Sequence, residues 1–427
     1  MPSESDLLKS LDDEPRTPST VDVRRAIATG RRRVVRRGVG YAGAAAATVV
    51  AVAGVSVAGG LVGHARPTGT PNIGAAASAK PKPQYTIPGT AGWKAPAAAP
   101  PTSCTLSRLT APGNVPMALV GGADPAGRYI VGRSYPKGGG YQAVLWHDGT
   151  GRNVPLPGDI EEQLTDVNST GTAVGWSYSG TTEADTGSVA YVYQDGKVSK
   201  LPGVRHGSAY AINNAGAIVG VDDDHHAAVV WPSATAKPIQ LPVPAGTKEA
   251  AARDIDEDGT TVGSLDDAVP YVWFPDGTHH KLAVPTINGK PAATAVVDSV
   301  RNGWATGVAT DGAGRSGAKN PAGTKATAAG IVTVRWNLRT GEVSVSDVLT
   351  GLNSPEVNAQ GWQTGSDKQG RTVLVTGTAS VLLPDLAPHP TDLLSTIASA
   401  VSDDGRTIAG QSDDATGTIQ AVVWHCQ

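Results

Sequence analysis

Along residues 104–427, short apolar stretches recur at near-constant spacing, each interrupted by a small polar turn. Three of them align without gaps: "TDVNSTGTAVGWS" (165–177), "YAINNAGAIVGVD" (210–222) and "RDIDEDGTTVGSL" (253–265). Looser copies begin at 121, 298, 356 and 399. Each reads as a strand, an Asn/Asp/Gly turn and a second strand ending in glycine. The closing glycines are Gly132, Gly175, Gly220, Gly263, Gly307, Gly365 and Gly410, with gaps of 43, 45, 43, 44, 58 and 45 residues. A third strand follows, ending in an aromatic residue in most copies, as in "AVLW" (143–146) and "AVVW" (228–231 and 421–424). After another turn comes a fourth, as in "NVPLPG" (153–158) and "KVSKLPG" (197–203). We label these strands a, b, c and d.

Four strands in about 40–45 residues is the period of a β-propeller blade, which cannot bury both faces alone and so stacks around an axis. The pattern predicts an all-β fold: a seven-bladed β-propeller, with six or eight as alternative counts. The one long gap contains "TDGAGRSGAKNPAGTKATAAG" (310–330), which has the composition of an inserted loop. The motif resembles the HAF repeat of extracellular bacterial proteins, most closely in "AYAINNAGAIVG" with "AVVW" between 207 and 246. That resemblance implies a surface-exposed propeller and no particular chemistry. Repeats five and six depart from it, lacking the Asn-x-x-Gly turn or the strand-c aromatic.

The seventh repeat ends after strand c, so a closed ring would leave one sheet edge bare. "CTLSRLTAPG" (104–113) supplies the missing strand, with Leu109 at the register of Leu156, Leu201 and Leu241. Cys426 then falls where Asp148 sits in an intact c–d turn, and Cys104 falls across that turn. A Cys104–Cys426 disulfide is expected to replace the missing hairpin connection. Such a bond requires an oxidising compartment.

Before residue 104 the pattern changes. Residues 24–38 hold seven arginines and no acid, and residues 39–63 form 25 residues without a charge. About 20 such residues span a bilayer, and flanking arginines stay on the cytoplasmic side. The expectation is a cytoplasmic Arg-rich tail (1–38), a transmembrane signal-anchor (39–63), a disordered Pro/Ala-rich linker (64–103) and a propeller ectodomain (104–427). Secretion after signal cleavage is the alternative. The tail resembles those of membrane proteins from high-GC Gram-positive bacteria, some of them anti-sigma regulators. The net charge of −3 argues against nucleic-acid binding by the whole chain.

Candidate chemistry is sparse. The Asn/Asp-x-x-Gly turns (Asn168, Asn213, Asp256, Asp404) read as structural, because Asn and Asp bond their own backbone. Trp146, Trp231, Trp273, Trp336 and Trp424 share one strand-c register and read as packing between blades. The b–c loops vary from repeat to repeat and carry acids: Asp222, Asp223 and Asp224 with His225 and His226, then Asp266 and Asp267, then Asp413 and Asp414. Loops on a rigid scaffold are where binding usually resides. "DDDHH" (222–226) offers oxygen and nitrogen ligands for a divalent cation, against a plain solvated turn, and no cofactor is expected. No nucleophile, phosphate-loop or dinucleotide motif occurs. The sequence therefore predicts a tethered binding module for an extracellular protein or glycan. A glycan-acting hydrolase or lyase on the same scaffold is the first alternative, and a transmembrane sensor the second.

Overall fold

A computed structural model describes residues 85–137, 140–158, 161–178, 187–312, 330–377, 379–388 and 395–427. The tail and the apolar segment 39–63 lie outside these residues. Among the described residues no helix is long and apolar enough to cross a membrane. Residues Pro83–Gln427 form one compact unit.

The unit is all-β and propeller-like. It opens with β1 (Cys104–Arg108). A first sheet holds β2 (Met117–Ala123), β3 (Tyr129–Tyr135), β4 (Gln142–His147) and β5 (Thr150–Asn153). The second holds β6 (Glu161–Val167), β7 (Ala173–Tyr178), β8 (Ser188–Gln194) and β9 (Lys197–Lys200). The third holds β10 (Gly207–Ile212), β11 (Ile218–Asp222), β12 (Ala227–Trp231) and β13 (Ile239–Gln240). The fourth holds β14 (Ala250–Ile255), β15 (Thr261–Leu265), β16 (Val269–Trp273) and β17 (His279–Lys281). A small hairpin follows, β18 (Thr286–Ile287) with β19 (Lys290–Pro291). Next is a seven-stranded sheet of β20 (Thr294–Arg301), β21 (Trp304–Thr310), β22 (Ile331–Asn337), β23 (Glu342–Thr350), β24 (Gln363–Asp367), β25 (Thr372–Thr376) and β26 (Ala379–Leu382). The last sheet holds β27 (Thr396–Val401), β28 (Thr407–Asp413) and β29 (Ile419–Cys426), with β1 as its fourth strand.

The seven-stranded sheet is two repeats fused through the pairing of Leu349 with Asp367 and of Thr350 with Ser366. In the second of these repeats strand a shrinks to one bridge, Val357 to Gln363. Pro355 precedes it and has no N–H to give a ladder. That repeat keeps the Asn-x-x-Gly turn and lacks only the strand-c aromatic: Asn358 and Gly361 close the turn with the same backbone bonds as Asn168 and Gly171. The last repeat differs from expectation. Ser402, not Asp404, takes the place of Asn168, and Asp404 accepts its hydroxyl at 2.6 Å. Most d strands also end earlier than expected, the first at Asn153 and the second at Lys200. The recurrent leucine follows the strand and adds one more ladder bond, as from Leu201 N–H to the Ala190 carbonyl.

Hydrophobic clusters fill the spaces between adjacent sheets. One joins the last sheet to the first through Leu109, Val120, Trp146 and Val423, so the stacking closes on itself. Each strand-c tryptophan donates its indole N–H to the preceding sheet, at the carbonyl just past that sheet's recurrent leucine. Trp146 reaches Thr110 at 2.9 Å, Trp231 reaches Pro202 at 2.9 Å and Trp273 reaches Pro242 at 2.7 Å. Trp336 reaches Ala283 at 2.7 Å and Trp424 reaches Pro384 at 2.8 Å. The a–b turns are also linked from sheet to sheet, with donors pointing in both directions around the ring. Asn168 donates to the Asn213 carbonyl, Asn213 to that of Asp256, and Gly303 N–H to the Asp256 carboxylate. Asn302 then reaches Ala359, Asn358 reaches Ser402, Asp403 N–H reaches the Pro125 carbonyl, and Ser169 bonds Asp124.

Cys104 and Cys426 pair across β1 and β29, their Cα atoms 4.0 Å apart, and are joined by a disulfide over a separation of 322 residues. Residues 85–103, expected as free linker, instead lie against the sheets. Tyr85 and Ile87 are buried among the third and fourth sheets. Thr90 bonds Glu257, Asn213 donates to the Pro88 carbonyl, and Gln360 donates to that of Pro96. The segment supplies apolar side chains and free carbonyls to the a–b turns, which a composition reading does not register.

Candidate functional site

The inner strands share one distortion. A bulge falls at Gly121, Thr165, Tyr210, Arg253, Asp298 and Ser399, turning two successive residues toward the axis where a regular strand would alternate. The bulge also explains six of the seven closing glycines, Gly365 in the repeat without a bulge being the exception. A Cβ at Gly132, Gly175, Gly220, Gly263, Gly307 or Gly410 would collide with the inner strand's carbonyl oxygen. The residue after the bulge is acidic in two repeats, Asp166 and Asp254, and Glu356 holds the matching place in the repeat without a full strand a.

These residues line an axial cavity of about 170 Å³, together with Tyr210, Arg253, Asp298, Arg301 and Ser399. Asp166 Oδ2 accepts the Ile212 N–H of the next sheet at 2.8 Å, and Asp254 Oδ2 accepts that of Val300 at 2.7 Å. Each carboxyl therefore ties its sheet to its neighbour. Burial raises all of them. Asp166 goes to about 8, helped by the nearby Asp254 charge and opposed by the Ile212 N–H. Asp254 goes to about 6, and Glu356 goes well above its ordinary value, pushed further by Asp254 and Asp298. Asp298 is raised by burial against the pull of Arg253. All four keep some accessible surface because they open on the cavity, but surrounding protein displaces most of the water that would favour their charged forms.

Arg301 closes the wall toward the a–b turns. Its guanidinium binds Asp403 through two bonds of 2.7 Å and Glu257 through one of 3.1 Å. Burial opposes its charge, but the carboxylates outweigh that and raise its pKa. The Trp93 ring from the N-terminal segment packs 4.9 Å from the same guanidinium. Arg253 lies over the Tyr210 ring at 5.1 Å.

The loop acids singled out in the sequence are placed differently. Asp222 ends β11, where its carboxylate accepts the Asp224 N–H at 3.1 Å and meets His225 Nδ1 at 2.8 Å. Asp223 takes the Ser188 hydroxyl at 3.0 Å, and Asp224 meets His206 Nδ1 at 2.8 Å, which lowers its pKa. His226 takes left-handed backbone at φ 52°. Asp266 accepts the N–H groups of Lys248 and Glu249, while Asp267 continues the turn at φ 50°. Asp413 ends β28, and Asp414 caps its own turn through Thr416 and Thr418. These acids brace b–c loops against d–a connections on one face, and the structure does not gather them at one point. Among the described residues no three His, Cys, Asp or Glu side chains are grouped to hold a metal ion.

The axial carboxyls escaped the sequence reading. Their signal was an acid two residues before the turn, in "TDVN", "RDID" and "PEVN", within strands that are otherwise small or apolar.

No protein-family profile matches the chain, and no curated protein matches it. Several solved structures are similar in architecture. The RRP9 WD40 repeats share 11% identity at a TM-score of 0.46, over 78% of this chain and 99% of that one. A catalytically inactive virginiamycin B lyase from Staphylococcus aureus with quinupristin shares 12% at 0.46, over 76% and 99%. The YCF48 protein bound to D1 peptide shares 12% at 0.41, over 78% and 99%.

Proposed function

We propose that the chain is a membrane-tethered, extracytoplasmic propeller of seven blades that binds its target and does not cleave it. The blade count is supported by seven chain segments, beginning near 121, 165, 210, 253, 298, 356 and 399, that line one cavity. The compartment is supported by the Cys104–Cys426 disulfide, which persists only under oxidising conditions. The tether rests on the apolar run 39–63 and its arginine flank. The repeat's HAF-like sequence agrees with an extracellular setting.

One observation favours binding over cleavage: the cavity's volume of about 170 Å³. Pockets that enclose a drug-sized ligand run to about 300–1,000 Å³. A glycan-cleaving site must hold sugars on both sides of the scissile bond, with a carboxyl on each face of the reacting ring. The axial space is too small for that. The variable b–c loops, braced on a rigid ring, are the surface for an extracellular protein or glycan.

The test uses the full chain in detergent with defined cell-wall and extracellular polysaccharides. Retention on a glycan array without release of reducing ends or unsaturated products is the expected result. Product formation that disappears in Asp254→Asn would replace the binding reading with the hydrolase or lyase.

A further inference from the structure

We infer that Asn288 is a self-modifying site: its side-chain amide cyclises onto the Gly289 nitrogen, and water opens the ring to leave aspartate or isoaspartate at the tip of the β18–β19 hairpin. That hairpin lies in the connection from the fourth sheet to the seven-stranded sheet, so it belongs to the same face as the b–c loops. The reaction is independent of what that face binds.

The chain contains two Asn–Gly pairs, Asn288–Gly289 and Asn302–Gly303, and both form two-residue hairpin turns with positive φ at each residue. Glycine leaves its own nitrogen unshielded by a side chain, which attack on the neighbouring amide needs. The two turns differ in what holds them. Asn302 donates to the Ala359 carbonyl at 2.7 Å and accepts from Arg339 at 2.6 Å, while Asp256 takes the Gly303 N–H at 2.9 Å. The Asn302 amide carbon therefore cannot swing to the glycine nitrogen without breaking bonds to other elements. Asn288 is exposed, and its side chain has one bond among the described residues, a long one of 3.4 Å to Asp311. Seven paired positions back the Asn302 turn. Two back the Asn288 turn, and one of those is Pro291, which has no N–H to give. So short a hairpin opens locally far more often than the sheets do.

The step needs only water. The Gly289 nitrogen, once solvent base removes its proton, attacks Asn288 Cγ. The N–Cγ bond forms, the Cγ–Nδ2 bond breaks, and the amide group takes up a proton and leaves as ammonia. Water then opens the succinimide ring at one of its two carbonyls. Opening at Cγ gives aspartate, and opening at the main-chain carbonyl gives isoaspartate. Either product replaces the amide that donates to Asp311 with a second carboxylate beside it. Isoaspartate also lengthens the main chain within a turn whose register depends on two residues. Ile287 and Ala292 of this hairpin are buried in the cluster between the fourth sheet and the seven-stranded sheet, so the product loosens a covered apolar seam.

The full chain in detergent, held in warm, mildly alkaline buffer, tests this. Peptide mass spectrometry reads the amide-to-acid mass gain at each asparagine, and an isoaspartate-specific methylation assay reads the rearranged product. Conversion at Asn288 should outrun that at Asn302 by at least about tenfold, since the two differ chiefly in how often the turn opens. In denaturant the two rates should converge, because the dipeptides are the same. Arg339→Ala, which frees the Asn302 oxygen, should raise conversion at Asn302 and leave Asn288 unchanged. Asn288→Gln should remove the product, and Asn288→Asp, a copy of one product, should speed amide exchange across 284–293 ahead of the sheets. Equal rates at the two sites in the folded chain, a faster Asn302, or an Asn288 still intact when the denatured chain has converted overturns the inference. Unaltered exchange in Asn288→Asp overturns its consequence for the hairpin.

Discussion

Trp231 shows how one residue type carries packing and register together. Its ring is fully buried between sheets, and its indole N–H reaches the Pro202 carbonyl of the sheet before it. Trp231→Phe keeps much of the apolar area but strands that carbonyl, so stability should fall by about 1–3 kcal/mol, read from denaturant midpoints. An unchanged midpoint would mean the indole bond is incidental. The axial acids act in the opposite sense. Asp166 and Asp254 are raised to about 8 and about 6, above the ordinary value of 3.8. The folded chain therefore holds protons that the unfolded chain releases. Their contribution is fully favourable below about pH 4 and is lost as pH rises, for Asp254 by about pH 6 and for Asp166 by about pH 8. Stability should drop by on the order of 2–4 kcal/mol between pH 5 and pH 8, and Asp166→Asn should flatten most of that slope. A wild-type profile flat across this range sinks the assignment. The tryptophans were legible because five of them share one register. The acids were not, because only the bulge turns them inward, and a bulge leaves no mark in a two-residue alternation.

Among elements, the inner strand and its partner are tied by close approach. Gly220 sits where a Cβ would strike the Ser208 carbonyl oxygen at the third sheet's bulge. Gly220→Ala should therefore cost more than the usual strand substitution, at least about 2 kcal/mol, and should alter hydrogen exchange in β10 and β11 before other sheets. Equal exchange across all sheets would mean the approach relaxes freely. The segment 85–98 behaves as another element of the unit. Trp93 covers Arg301, and Tyr85 and Ile87 are buried, so Trp93→Ala should loosen the a–b turns and cost about 1–2 kcal/mol. Protease cleavage within 85–98, no faster in the variant than in the parent, would contradict that. The repeat was readable at this scale because glycine, turn and aromatic recur together. The linker boundary was not. Pro and Ala composition describes how a segment behaves alone, whereas Tyr85, Ile87 and Trp93 are fixed by turns that come more than a hundred residues later in the chain.

For the whole molecule, the question is what holds the first and last repeats together. β1 pairs with β29 from Cys104–Cys426 to Arg108–Val422, and Gln427 N–H donates to the Ser103 carbonyl at 2.9 Å. These bonds do not need the disulfide, so a Cys104→Ser, Cys426→Ser double variant should still fold to the same closed arrangement. What it loses is the constraint on the unfolded chain. For a loop closed across 322 residues, chain entropy sets that constraint at about 5–6 kcal/mol as an upper bound. Backbone pairing of β1 alone is weak compensation, since an edge strand of five residues is easily shed. The double variant should therefore melt earlier, and its β1 and β27–β29 amides should exchange ahead of β14–β17, whose sheet is covered on both sides. Opening confined to that seam identifies the disulfide as the latch of the ring. Uniform acceleration across every sheet would instead show that the bond acts only on the denatured state, and an unchanged midpoint would show that the belt of a–b turns and indole bonds closes the ring unaided.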